Sequence, residues 1–141
     1  MAITLYHFTK PEHWPAIASS GTLEPRWTAA GPDVVPTVHL MDTPNRELLP
    51  WAFREDYTVR IQVSVPEVEV HNWHTWGKVR VPANAHISWG IPVSRPEGTY
   101  LSHGNKGSAH WRVVERSIPQ SEWVRVEDLD TDQVLWSSAE A

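Results

Sequence analysis

The first chemistry legible in the sequence is the run Tyr6-His7-Phe8-Thr9, a histidine between two aromatics with a hydroxyl behind it. It reads either as a ligand-binding or catalytic imidazole, or as a structural histidine satisfied within the fold. His71-x-x-His74 has a spacing that can chelate a metal, but no third ligand accompanies it, and two solvated loop histidines are the competing reading. The glycine-rich run from Ser102 to Ser108 can form a backbone nest for a phosphate, with Lys106 adding charge. It lacks a strand before it and a helix after it, which favours an ordinary mobile loop. A G-x-S-x-G elbow, a Walker A loop, an H-E-x-x-H helix and a G-x-G-x-x-G turn are all missing. Without cysteine there is no thiolate nucleophile, no disulfide and no Cys-based metal site.

The elements that must carry these residues are short. Ile3–Phe8 reads as a strand, and Thr9 with Glu12 three positions on reads as a capping box for a helix. That helix places Trp14, Ile17 and Ala18 on one face, is expected to be short or kinked because of Pro15, and stops at Gly21. Thr37–Met41 predicts a strand, and Asp42-Thr43-Pro44 the start of a second helix bearing Leu48, Leu49, Trp51 and Phe53. From Tyr57 to Val65, Tyr, Val, Ile, Val and Val alternate with Thr, Arg, Gln and Ser, the period of a half-buried strand. Glu67–Val70 is expected to extend it. Further strands are expected at His110–Ile118, Trp123–Val126 and Val134–Trp136, with an acidic tail from about residue 127. Five to seven short strands with two short N-terminal helices predict an α+β fold, without the βαβ alternation of a doubly wound sheet.

A length of 141 residues with 40% apolar content suits one domain, and no linker or repeat divides it. No stretch approaches the ~20 apolar residues of a membrane-spanning helix, and the N-terminus lacks a signal-peptide pattern. The expected setting is therefore intracellular, without a membrane partner. The net charge of −5 hides an asymmetry. His71–Arg116 holds six basic and two acidic residues, hence +4 and five histidines, leaving −9 on the remainder. Such a block suits an anionic ligand with a few phosphates, or is a chance cluster on a solvated surface. With three lysines in the whole chain, coating of a long duplex is disfavoured. Nine tryptophans are the other excess. Trp14 and Trp111 are expected in the core, Trp51 against a ligand, and Trp27, Trp73, Trp76 and Trp89 in irregular segments where they clamp loops or meet a partner.

Leu5-Tyr-His-Phe-Thr9, the Trp14/Ile17 helix and Gly21-Thr-Leu-Glu-Pro25 together resemble the opening of ADP-ribosyltransferase-fold proteins. The resemblance is to the bacterial and phage branch with an N-terminal YHxT motif, to which the DNA-modifying DarT toxins belong. Val38-His39-Leu40 followed by Trp51 or Phe53, and then Trp111-Arg-Val-Val-Glu115, are similar to the next two pieces of that fold. The match runs over roughly residues 3–126. It implies a split mixed or antiparallel sheet in a single 1–141 domain, and a mono-ADP-ribosyltransferase (a glycosyltransferase) that uses NAD as substrate and no metal. His7 would hold a hydroxyl of the nicotinamide ribose, the Phe8 backbone the carboxamide, and Thr9 and His39 would assist. Trp51 would stack on nicotinamide. Glu115 would bind the ribose 2′-hydroxyl and stabilise the oxocarbenium-like centre, electrostatic catalysis by a preorganised group.

The loop Arg95–His110 would read the acceptor through Arg95, Tyr100 and Lys106, joined by Arg112; its overlap with the basic block favours an acceptor that is a nucleic acid or carries phosphate, and the macromolecule is a nucleic acid or a protein. The cellular setting implied is the cytoplasm, a host's cytoplasm for a phage gene. Two positions depart from the family pattern. Val113 stands where many members carry Gln or Glu two residues before the glutamate, which argues against arginine modification. The second-strand tyrosine is absent, with His39 or Leu40 in its place. Two other readings therefore stand beside the enzyme: a non-transferring nucleotide- or RNA-binding module of the same fold (a phage counter-defence or sensor protein), and a Trp-rich protein-interaction domain.

Overall fold

The strand with the strictest alternation lies near the centre of the fold. In the computed structural model, which describes residues 1–25, 36–49, 55–73, 75–76 and 109–138, strand β4 (Val59–Pro66) buries Val59, Ile61, Val63 and Val65. Arg60, Gln62 and Ser64 stay half-buried on its other face. Strand β1 (Ala2–Thr9) pairs with β4 along its whole length, from Ala2↔Pro66 to Thr9↔Val59. Strands β8 (Trp123–Asp128) and β9 (Gln133–Ser137) continue the sheet on the far side of β4. On the other side of β1 come β3 (Val38–Met41), β6 (Trp111–Val114) and β5 (His71–Asn72). The order is β5-β6-β3-β1-β4-β8-β9, every pairing being antiparallel. A second, two-stranded sheet joins β2 (Thr22–Leu23) to β7 (Ile118–Pro119). The architecture is α+β and mostly antiparallel.

The sheet separates two apolar clusters because successive side chains on a strand point to opposite faces. One face gathers Leu5, Val38, Leu40, the β4 aliphatics, Val114 and Val126 under Leu23, Ile118 and Trp123, with Trp14 and Ile17 packed against them. The opposite face gathers Phe8, Met41, Trp73, Trp76, Trp111 and Val113.

Helix α1 (Trp14–Ser20) is preceded by a 3-10 turn at Pro11–His13. Thr9 stays in β1, and neither start carries a side-chain cap, so the expected Thr9/Glu12 capping box does not form. Because the helix begins at Trp14, Pro15 lies in its first turn, where the missing N–H costs nothing, and no kink results. Gly21 ends the helix at φ 69°, the left-handed cap that glycine adopts without Cβ strain.

The second expected helix is, among the described residues, a single 3-10 turn at Arg46–Leu48. Asn45 caps it, Oδ1 accepting from the Glu47 N–H at 2.9 Å. Leu49 is extended at φ −67°, ψ 158°, the conformation forced on a residue that precedes a proline. Glu67–Glu69 likewise turns instead of extending β4. The strand expected at His110–Ile118 stops at Val114, and Ile118 passes to the small sheet. The acidic stretch from about 127 is not a trailing tail but the turn and flanks of the β8–β9 hairpin. Among the described residues no helix is long and apolar enough to cross a membrane.

Candidate functional site

The seam between β1 and β3 differs from every other long seam of the sheet. β3 pairs with β6 over four residues, and β1 with β4 over eight, yet β1 meets β3 in register only at Tyr6↔Met41. Beyond that point the two strands part, and a cleft of about 840 Å³ opens. His7, Phe8 and Thr9 line it from β1, Thr37 to Met41 from β3, and Ala16, Ile17 and Ser20 from α1. Trp73, Trp111 and Tyr57 close the aromatic side, and Glu12, His13 and Glu24 are acidic or titratable groups of the lining.

His7 bridges the gap where the backbone ladder fails. Its Nδ1 lies 2.7 Å from the His39 carbonyl oxygen. A carbonyl can only accept, so Nδ1 carries the proton, and in the neutral ring Nε2 is left as an acceptor. One hydrogen bond thus fixes both the ring's orientation and its tautomer. His39 stands on the cleft floor, accessible from the cleft but enclosed by enough protein to be costly to charge. Desolvation first, and the neighbouring His7 second, push its pKa down from 6.5 to about 4. It is therefore neutral at pH 7. Its Nε2 lies 3.4 Å from Thr37 Oγ1, and its ring tilts against Trp73 at 5.4 Å between centroids. Two imidazoles and two buried hydroxyls, Thr9 and Thr37, make a polar wall that suits hydroxyl-bearing ligands.

Glu115 lies just past β6 and is half-buried. By strand alternation it continues the face of Trp111 and Val113, and Val113 is the register partner of His39. It is not among the described lining of the cleft. Its Oε2 accepts from the Trp76 indole N–H at 2.7 Å. Trp76 stacks on Trp73 at 5.6 Å and 22°, and Trp73 meets Trp111 edge-on at 6.1 Å. Trp73 is 1% and Trp76 4% exposed, so of the two expected roles their burial fits holding segments together and not a surface that meets a partner. Their i, i+3 spacing directly after β5 is the signal that a one-turn aromatic pair leaves, here with Asn72 Oδ1 accepting from the Thr75 N–H at 3.3 Å. Trp111 is in the core as expected, and Trp14 packs at 6.0 Å from Trp123.

The basic block is partly neutralised by carboxylates that lie outside it in the sequence. Arg112 donates to Asp42 Oδ2 at 3.0 Å and to the Ala109 and Trp111 carbonyls, away from the described cleft lining. His110 Nδ1 holds the other oxygen of Asp42 at 2.8 Å. Arg116 forms fork-like pairs with both Glu69 and Glu122, at 2.7–3.0 Å. These pairs hold the Arg116 guanidinium firmly charged and keep Glu69 below its ordinary carboxylate pKa, the Arg116 hydrogen bond being the main cause.

The structure therefore brings His7, Phe8, Thr9 and His39 together in one cleft and sets Glu115 one strand away. Trp51, Phe53, Arg95, Tyr100, Lys106, His74 and the run 102–108 lie outside the described residues. No three His, Asp or Glu residues converge as metal ligands among the described residues. No protein-family profile, curated protein or solved structure matches this chain.

Proposed function

We propose that the protein is an NAD-dependent mono-ADP-ribosyltransferase acting on a macromolecular acceptor, a nucleic acid or a protein. The observation that carries this reading is the opening between β1 and β3. The three segments that resemble the family fall on β1, β3 and β6, neighbours in the sheet although far apart in sequence. In this reading the Nε2 acceptor of His7 takes a hydrogen bond from a hydroxyl of the nicotinamide ribose. The Phe8 backbone meets the carboxamide, and neutral His39 adds a second polar contact. The Glu115 carboxylate faces the positive charge that develops on the ribose as nicotinamide departs, a contribution that preorganised groups make because they need not reorganise. Trp51 stacks on nicotinamide, and Arg95, Tyr100, Lys106 and Arg112 contact the acceptor.

Titration with NAD should quench tryptophan fluorescence and release nicotinamide when an acceptor is supplied. His7→Ala should abolish the quenching. Glu115→Gln should keep the quenching and lower nicotinamide release by about 10²–10³-fold, the scale for losing one preorganised stabilising group. If both variants turn over like the parent, the assignment is wrong.

A nucleotide-binding module without transfer is the second reading, and one observation favours it: Glu115 is absent from the described lining of the cleft. It predicts NAD or oligonucleotide binding with no nicotinamide released by the parent protein.

A further inference from the structure

The side chain that would meet the developing charge is held by a residue that the transferase reading does not itself require. Trp76 donates its indole N–H to Glu115 Oε2 at 2.7 Å. Indole nitrogen is a donor only, so the direction of this bond is fixed. The donor is itself immobile: Trp76 is 4% exposed, lies nearly parallel on Trp73 at 5.6 Å and 22°, and Trp73 leans edge-on against Trp111 at 6.1 Å. Trp73 also touches the cleft-floor His39, at 5.4 Å between centroids. The main chain beside Glu115 is anchored as well, through the double pairing of Arg116 with Glu69 and Glu122 at 2.7–3.0 Å. Restraint thus acts on Glu115 at two points, its carboxylate and its backbone. The indole N–H thus aims one directed bond at that carboxylate.

We infer that Trp76 is a positioning residue: its N–H sets the orientation in which Glu115 meets the ribose, an inference that rests on the transferase reading above. Trp73 and His39 complete a continuous packed path from that carboxylate to the cleft floor. Trp76 acts through Glu115 and touches no reacting atom.

The test compares Trp76→Phe, which keeps a stacking ring and removes the donor, with the parent protein and with Glu115→Gln. For nicotinamide release, Trp76→Phe should lower kcat by about 10–100-fold, the scale for losing a group that orients a reacting ligand side chain. KM for NAD should stay unchanged, a split that a general loss of structure would not give. In the Glu115→Gln background the same substitution should have no further effect on kcat, because the group it orients is already gone. Undiminished kcat in Trp76→Phe, or a full additional loss in the double variant, overturns the positioning role while leaving the transferase reading standing. A parent protein that neither binds NAD nor releases nicotinamide removes both. Should Trp76→Phe fail to fold, the indole N–H resonances of the parent and Glu115→Gln decide the matter. The Trp76 signal must shift when its acceptor changes, and a stationary signal overturns the contact.

Discussion

On one face of the sheet Leu5, Val59, Ile61, Val63 and Val65 pack against Leu23, Ile118 and Trp123; on the other, Phe8 and Met41 pack against Trp73, Trp76 and Trp111. The first face is mainly aliphatic and closed by α1 and the small sheet, with Trp123 Nε1 donating to the Ile118 carbonyl at 3.1 Å. The second is aromatic, and its indoles have polar duties: Trp111 Nε1 donates to the Leu48 carbonyl at 3.0 Å, and Trp76 Nε1 to Glu115. The contrast separates a mainly aliphatic surface from one built of stacked indoles that reach a carbonyl and a carboxylate. Aliphatic side chains bring burial without direction, whereas indole brings burial and one directed donor.

Substitutions that act on one face and spare the other test that division. Ile61→Ala, fully buried on the aliphatic face, should cost about 2–5 kcal/mol of unfolding free energy in a denaturant titration. NAD affinity, measured where the variant is still folded, should not change; a parallel loss of binding would show that the faces are not independent. Gly21→Ala should cost roughly 1–2 kcal/mol, because φ is 69° there while the nearest atom to an added Cβ, Gln120 Oε1, is 3.9 Å away. The penalty is therefore backbone strain and not a clash, and Gly21→Asn should recover part of it in the same titration.

The remaining two effects are read from pH. Above pH 6.5 His39 is neutral in both folded and unfolded chains and adds no pH dependence. Between 6.5 and about 4 the unfolded chain takes up a proton that the folded chain refuses, so stability falls as the pH is lowered through that window. Tm followed from pH 7 to 4 should decline more steeply in the parent than in His39→Gln. Glu69 behaves oppositely in sign: its carboxyl titrates below its usual 4.5 in the fold, so its contribution is present above 4.5 and is lost as the pH falls through the lower folded value. Arg116→Met should flatten that acid limb. The effect is expected to be the smallest of the set, since Glu69 is solvent-exposed and screened.

Much of the aliphatic face was legible from residue order alone. Alternation over Tyr57–Val65 is a local property, and β4 follows it nearly residue for residue. Gly21 as a helix stop is equally local. The aromatic face was not legible, because Trp73 and Trp76 sit in a stretch without strand period, and their partners Trp111 and Glu115 are more than thirty residues away. The run Leu48-Leu49 suggested a helix, yet the backbone restriction imposed by Pro50 on Leu49 ended the turn first.

The charge asymmetry shows the same limit. Counting placed a basic block at His71–Arg116, but only the fold pairs Arg112 with Asp42, and Arg116 with Glu69 and Glu122. By itself the sequence determined the α+β class and the strands with strict period, since these depend on neighbours along the chain. Tertiary structure alone decided where β1 and β3 part, which nitrogen of His7 bears the proton, and which indole holds Glu115. Each of those depends on contacts between strands that chain connectivity does not bring together, and directed hydrogen bonds, unlike apolar burial, leave no periodic trace in the order of residues.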